Sequence, residues 1–249
     1  VLTLVPAAVL IIFITADIFR AYYALDQANE TIADVRLVTV TNKLVHELQK
    51  ERGMSAWYIG SKGTMFTSAL NNQLAITDKE VNNLNTFMVD TNYHEHTNKT
   101  TQQLFNSLRQ LQTIRQQVDS LNIALPDALS YYTGNNLLIL DLNGHLASEL
   151  EEASSSERFL TLYNIAYAKE QAGIERAVLN NVFASGTFTS ALFSRYIELV
   201  TKQETYIKSA YTVATLDYRE VLDLFVRSKE SLDVQRFRDI AENTENEFN

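Results

Sequence analysis

Three observations predict an all-α fold. The chain of 249 residues contains two prolines and seven glycines, too few for the turns of a β-rich fold. No stretch shows sustained period-two alternation with β-branched residues. Apolar residues make up 46% of the chain and fall largely at helical spacing, enough for a packed core.

The elements follow in order. Val1–Ala16 is an uncharged apolar run, read as the C-terminal part of a membrane helix, with a signal-peptide core disfavoured because no A-x-A-like cleavage site follows and a buried core helix as the remaining alternative. The helical pattern continues without a linker through Asp17–Gly60. Gly60-Ser61-Lys62-Gly63 is a turn, after which Thr64 or Thr67 caps a helix running to about Asp90. Tyr93–Lys99 is polar and predicts a loop, and a third helix covers about Thr100–Leu121. Pro126 suits the first turn of a fourth helix. A capping box, Ser154 to Glu157, opens a fifth helix near Ser155 that ends near Gly186. A sixth spans about Phe188–Tyr211, and one or two more reach about Glu245. Asp141-Leu142-Asn143-Gly144 is either a turn or a helical glycine.

Composition narrows function. A net charge of −9, with lysine and arginine scattered singly, argues against a nucleic-acid partner. Without cysteine there are no disulfides, thiolate metal sites or thiol nucleophiles. No phosphate loop or nucleophile elbow occurs, so neither enzyme activity nor a cofactor is expected. His94 and His96 alternate in a polar loop and read as solvated, His46 and His145 are isolated, and Tyr131 and Tyr132 read as core or rim aromatics.

The most informative feature is an internal repeat. Glu51-Arg52 recurs as Glu175-Arg176 at an offset of 124 residues, and Phe66-Thr67-Ser68-Ala69-Leu70 recurs letter for letter as Phe188–Leu192 at an offset of 122. Each copy reads as a helix carrying Glu-Arg, a turn, and a second helix opening with FTSAL. Two up-and-down four-helix bundles side by side are the implied architecture, with halves of about 17–125 and 126–249 after the run at 1–16.

The arginines are the candidate site. Val45, Leu48, Arg52, Ala56 and Ile59 form one helical stripe, and Ala168, Ala172, Arg176, Leu179 and Phe183 form its counterpart. An arginine in an apolar stripe is costly unless paired. One reading pairs it internally with Glu51, Glu47, Glu175 or Glu170. The other brings both arginines onto one seam, where their planar guanidinium forks suit a flat trigonal oxyanion; nitrate, nitrite, bicarbonate and carboxylates share that chemistry. Late in the chain Leu232, Arg236 and Ile240 recur at fourfold spacing. This makes Arg236 a better third candidate than Arg238, which falls on a more polar face.

Leu44–Ala56 with Gly60–Gly63, Tyr132–Leu138, and Lys169–Ala177 with Asn181–Ala184 resemble the signatures of the NIT domain, the nitrate- and nitrite-sensing family, over roughly Asn42 to Ala241. The resemblance implies paired four-helix bundles, self-association as a homodimer, and nitrate or nitrite bound by Arg52, Arg176 and either Arg236 or Arg238. With the apolar run at the start, the chain is similar to the sensor of a methyl-accepting chemotaxis receptor, anchored in a bacterial inner membrane with its sensor in the periplasm. Some members carry two adjacent basic residues where this chain has Lys50-Glu51-Arg52, so the glutamate is a departure. The competing class is a helical interaction module whose arginines only form internal salt bridges.

Overall fold

A computed structural model describes residues 4–91, 99–149, 153–185 and 187–245, and among these residues there are helices and no strands. The helices are α1 (Leu4–Gly60), α2 (Thr67–Asp90), α3 (Lys99–Leu108), α4 (Leu111–Asp119), α5 (Leu125–Glu149), α6 (Ala153–Ser185), α7 (Ser190–Val213), α8 (Leu216–Val226) and α9 (Lys229–Glu245). The all-α expectation is met, and most boundaries fall within a few residues of those read from sequence.

One difference matters. The single helix expected over Thr100–Leu121 is broken at Arg109-Gln110, where the amide of Gln110 donates to the carbonyl of Ser107 instead of continuing the α-helical ladder. No proline or glycine marks that break. The segment after α7 is two helices, α8 and α9, within the one or two expected, and here the break has a local cause: the hydroxyl of Ser228 accepts from the amide of Ser231 and caps α9.

The first half packs α1, α2, α3–α4 and also α5, which lies beyond the boundary at about 125 read from the sequence, around one apolar core. Leu44, Leu48, Leu84, Leu104, Tyr132 and Ile139 are fully or almost fully buried at its centre. Helix α1 joins this core only from about Leu37; its N-terminal part carries exposed Phe13, Ile18, Phe19, Tyr22 and Leu25. Residues 1–3 of the apolar run lie outside the described residues, and no described helix is long and apolar enough to cross a membrane. His94 and His96 also lie outside them.

The second half is built on the α6–α7 pair, with α5 against α6. Its apolar cluster is small, centred on Ala210, Ala214 and Leu222. Aromatic contacts supplement it: Tyr167 packs tilted against Tyr163 and stacked on Tyr206, at centroid distances of 4.9 and 4.8 Å. Gly144 lies inside α5 and is no turn. A Cβ there would stand 2.5 Å from a ring carbon of Tyr163, so glycine is what lets α6 approach α5.

Candidate functional site

Adjacent residues on a helix point about 100° apart, so the Glu-Arg pair of each repeat faces two directions at once. On α1, Glu51 points into the first bundle and is fully buried. Arg115 of α4 grips its carboxylate through Nε and Nη2, both at 2.8 Å, and the hydroxyl of Tyr132 donates to Oε1 at 2.8 Å. Arg115 also donates to Asp78 of α2. Burial works against the arginine's charge, but the bonds and charges of Glu51 and then Asp78 outweigh it and hold its pKa above the ordinary value. Burial, then the charge of Glu51, pushes the Tyr132 phenol upward in turn, so Tyr132 stays a protonated donor.

The second half repeats the device. Glu175 of α6 is buried, and Arg238 of α9 grips it through Nε at 2.9 Å and Nη2 at 2.6 Å. Gln203 of α7 completes the layer, donating to Glu175 at 2.7 Å and accepting from Arg238 at 2.7 Å. Arg115 and Arg238 are separated by 123 residues, inside the span of offsets that the repeat shows. A sequence signal for Arg115 therefore exists, in the extension of the repeat to a later helix of each half.

The arginine of each pair points the other way, toward the other half. Arg52 is 6% exposed and crosses to α6, where it forms a two-pronged salt bridge with fully buried Glu170. Its Nη1 also donates to Thr133 of α5 at 2.7 Å. Glu170 accepts in addition from Gln49 at 2.8 Å and from Asn136 at 3.1 Å. Of the four glutamates within reach by sequence or symmetry, Glu170 is the one that pairs with Arg52, while Glu51 is fully engaged by Arg115. Arg52 comes so near α6 that a Cβ on Gly173 would stand 2.7 Å from its Nη2.

Arg176 makes the reciprocal approach: its Nη2 would lie 3.8 Å from a Cβ on Gly53 of α1. Here the expectation of a core arginine fails. Arg176 is exposed, and among the described residues it has no hydrogen bond or ion pair. The two arginines thus lean over each other's helix at one seam, one paired and one free.

Arg236 is not the buried arginine that its periodicity predicts. It is exposed, pairs among the described residues only with Asp233 one turn away, and lies 5.9 Å from the Phe237 ring. Arg238 faces the bundle instead. Helix α9 turns a polar face inward to meet Glu175 and Gln203, and its apolar stripe, with Leu232, points outward. A hydrophobic-periodicity rule assumes the reverse.

At the solvent edge of the seam, His46 lies 3.0 Å from the ammonium of Lys169, joining α1 to α6. Burial, then Lys169 and Lys50, lowers the His46 pKa. Burial, opposed by the charge of Glu170, lowers that of Lys169. Two cavities of about 770 and 420 Å³ lie in the first bundle, between α2 and α3 and beside Arg115. Neither is at the seam, but a trigonal ion of three or four atoms needs far less room and is held by donors, not volume.

Among solved structures, the chain is similar to that of the NasR transcription antiterminator, with a TM-score of 0.80 and 21% identity over 91% of this chain. It spans 62% of that protein's length, and the likeness speaks to the fold alone. No curated protein matches the chain. Residues 43–248 match the family described as nitrate and nitrite sensing, which covers both Glu-Arg signatures, the Glu170 counter-ion and both glutamate-clamping arginines. The chain belongs to the NIT family of nitrate- and nitrite-sensing domains.

Proposed function

We propose that this domain binds nitrate or nitrite at the seam between α1 and α6, between Arg52 and Arg176, and reports occupancy by a change in how the two halves pack. The observation that carries this reading is the free guanidinium of Arg176 leaning toward Gly53, opposite Arg52 leaning toward Gly173. Two arginines from equivalent repeat positions offer convergent forks to a planar anion. Arg238 and Arg115 have a different role, since each fixes the glutamate beside a seam arginine and so orients that arginine. Arg236 is given no contact with the anion.

The same reading makes the chain the non-enzymatic sensor of a membrane receptor. Its support is the uncharged run Val1–Ala16 and the exposed aromatic girdle of Phe13, Phe19, Tyr22 and Tyr23 on α1. Beyond it, Ile18, Leu25 and Ile32 repeat at sevenfold spacing with Ala21, Ala28 and Val35 between them, a coiled-coil pattern suited to pairing with a second copy. A signal then passes along α1, because the helix that carries Arg52 is the one that leaves the bundle.

Calorimetric titration of nitrate and nitrite tests the site. Arg176→Ala should weaken either anion tenfold or more, since a charge-assisted bond contributes about 1.5–3 kcal/mol, with melting temperature unchanged. Equal affinity in wild type and variant would remove Arg176 from the site. A second reading, an interaction module, is favoured by the exposed apolar residues Leu224, Phe225, Leu232 and Phe237 on α8 and α9. Failure of wild type to bind either anion at millimolar concentration would leave that reading standing.

A further inference from the structure

The charges at the seam are not equivalent. Three of the four arginines that serve the Glu-Arg signatures are matched by buried carboxylates: Arg115 by Glu51, Arg238 by Glu175 and Arg52 by Glu170. The first two pairs join helices of the same half. The third crosses between halves, and it uses the guanidinium that an anion at the seam would need. The carboxylate of Glu170 is itself a planar group offering two oxygens, with the geometry of one edge of nitrate or nitrite. An anion cannot take the fork of Arg52 while Glu170 holds it.

Resting on the anion-binding reading above, we propose that Glu170 is an internal competitor for the ligand, which holds Arg52 in the empty state and is exchanged for the anion on binding. Its surroundings suit the exchange. Gln49 and Asn136 both donate to Oε2, so the buried carboxylate keeps two hydrogen bonds after Arg52 leaves. Arg52 has somewhere to go, because Arg176 lies across the same crossing and an anion between them would draw both forks together. The paired arrangement is also imperfect, for the Oδ1 atom of Asn136 beside Glu170 is buried without a donor. With Glu170 counted, the two seam arginines leave one uncompensated positive charge, that of Arg176, which matches a monovalent anion. Arg52 then becomes the moving part: paired with Glu170 it ties α1 to α6, and paired with ligand it releases that tie. The ligand thereby gains a differential interaction with two arrangements, which a signalling equilibrium requires.

Two substitutions test the exchange. Glu170→Gln removes the competing charge but keeps a side chain of the same shape, and should raise nitrate affinity about tenfold. Glu170→Asp keeps the charge but withdraws the carboxylate from Arg52 by one methylene, and should also raise affinity, by less. The aspartate variant separates competition from a general field effect, because a field effect leaves its affinity unchanged. It also carries the test if the glutamine variant fails to fold, as checked by circular dichroism melting. Unchanged or weaker binding by the folded variants, with wild type binding normally, overturns the competitor role and leaves the anion site intact. Absence of nitrate and nitrite binding in wild type and both variants overturns the site itself, and the competitor with it.

Discussion

The two halves carry the same Glu-Arg signature and bury it in different settings. The first half closes α1, α2, α3–α4 and α5 around a leucine-rich core, with Glu51 and Arg115 as a polar layer inside it. The second half has a small apolar cluster, with Arg238, Gln203 and Glu175 as its buried polar layer, while Leu224, Phe225 and Leu232 remain exposed. Duplication has thus kept a device, a glutamate clamped by an arginine from a later helix of its half, without keeping the packing around it. The seam arginines diverge accordingly. Arg52 leaves a well-packed helix and finds a buried partner across the crossing; Arg176 leaves the looser half and stays free.

Removing the clamping arginines should give the largest effects and grade the halves. Arg115→Ala leaves fully buried Glu51 with the single bond from Tyr132 and also removes the partner of half-exposed Asp78, and breaking a buried pair costs about 3–5 kcal/mol. Arg238→Ala unpairs one carboxylate, less deeply buried than Glu51 and likewise left with one donor, Gln203, so its cost should fall below that of Arg115→Ala. Arg176→Ala should stay within about 0.5 kcal/mol, as for a surface substitution. Denaturant unfolding of the three variants measures the series. Equal costs for Arg176→Ala and Arg115→Ala would mean that the seam is symmetric and Arg176 is paired.

The glycines sharpen the same contrast at smaller magnitude. Alanine is the better helix former by roughly 0.5–1 kcal/mol. At Gly53 the nearest atom to an added methyl is Arg176 Nη2 at 3.8 Å, an ordinary contact, so Gly53→Ala should stabilise the fold. At Gly173 the methyl would meet Arg52 Nη2 at 2.7 Å, and that guanidinium is pinned by Glu170 and Thr133. Gly173→Ala should therefore destabilise, by about 1–3 kcal/mol for an overpacked site. Stabilisation by both substitutions would show that Arg52 shifts freely and that the pair with Glu170 is weak.

Helix positions are legible in the sequence because they depend on local spacing, and the repeat makes Arg52 and Arg176 stand out before any contact is known. Partner choice depends on three-dimensional register and is less legible. Glu170 is one of four glutamates near enough in sequence or symmetry to meet Arg52, and only the crossing of α1 with α6 selects it. Periodicity ranks Arg236 above Arg238 for burial, and the order is reversed because α9 turns a polar face to its neighbours. Even identical letters behave differently. The first FTSAL begins its helix at Thr67 after Phe66 in the left-handed region, with φ of 64°, following a turn in which Lys62 and Gly63 also have positive φ. The second begins at Ser190, with Thr189 extended and its hydroxyl accepting from the amide of Leu192. The preceding turn, not the shared pentapeptide, sets where each helix starts.

The smallest expected effect is a pH dependence confined to the edge of the seam. Lys169 of the second half lies against His46 of the first. His46 has its pKa lowered from 6.5, first by burial and then by Lys169 and Lys50, with Glu47 pulling the other way. Because the folded protein binds this proton less readily than the unfolded chain, its contribution to stability is fully present above about 6.5 and is lost as pH falls through the lowered value. Glu47 acts in the same sense at lower pH. Burial raises its pKa, but bonds from Gln73 and Lys50 outweigh that and leave it below 4.5. Half the His46 side chain is exposed, so solvent screening keeps the histidine step small. Thermal melts from pH 8 down to about pH 3 should show a slight fall in melting temperature below about 6.5 that is absent in His46→Gln. The steeper loss below about 4.5 should persist in that variant and weaken in Glu47→Gln. If the histidine variant keeps the upper step, the two halves do not meet at Lys169 as closely as 3.0 Å implies.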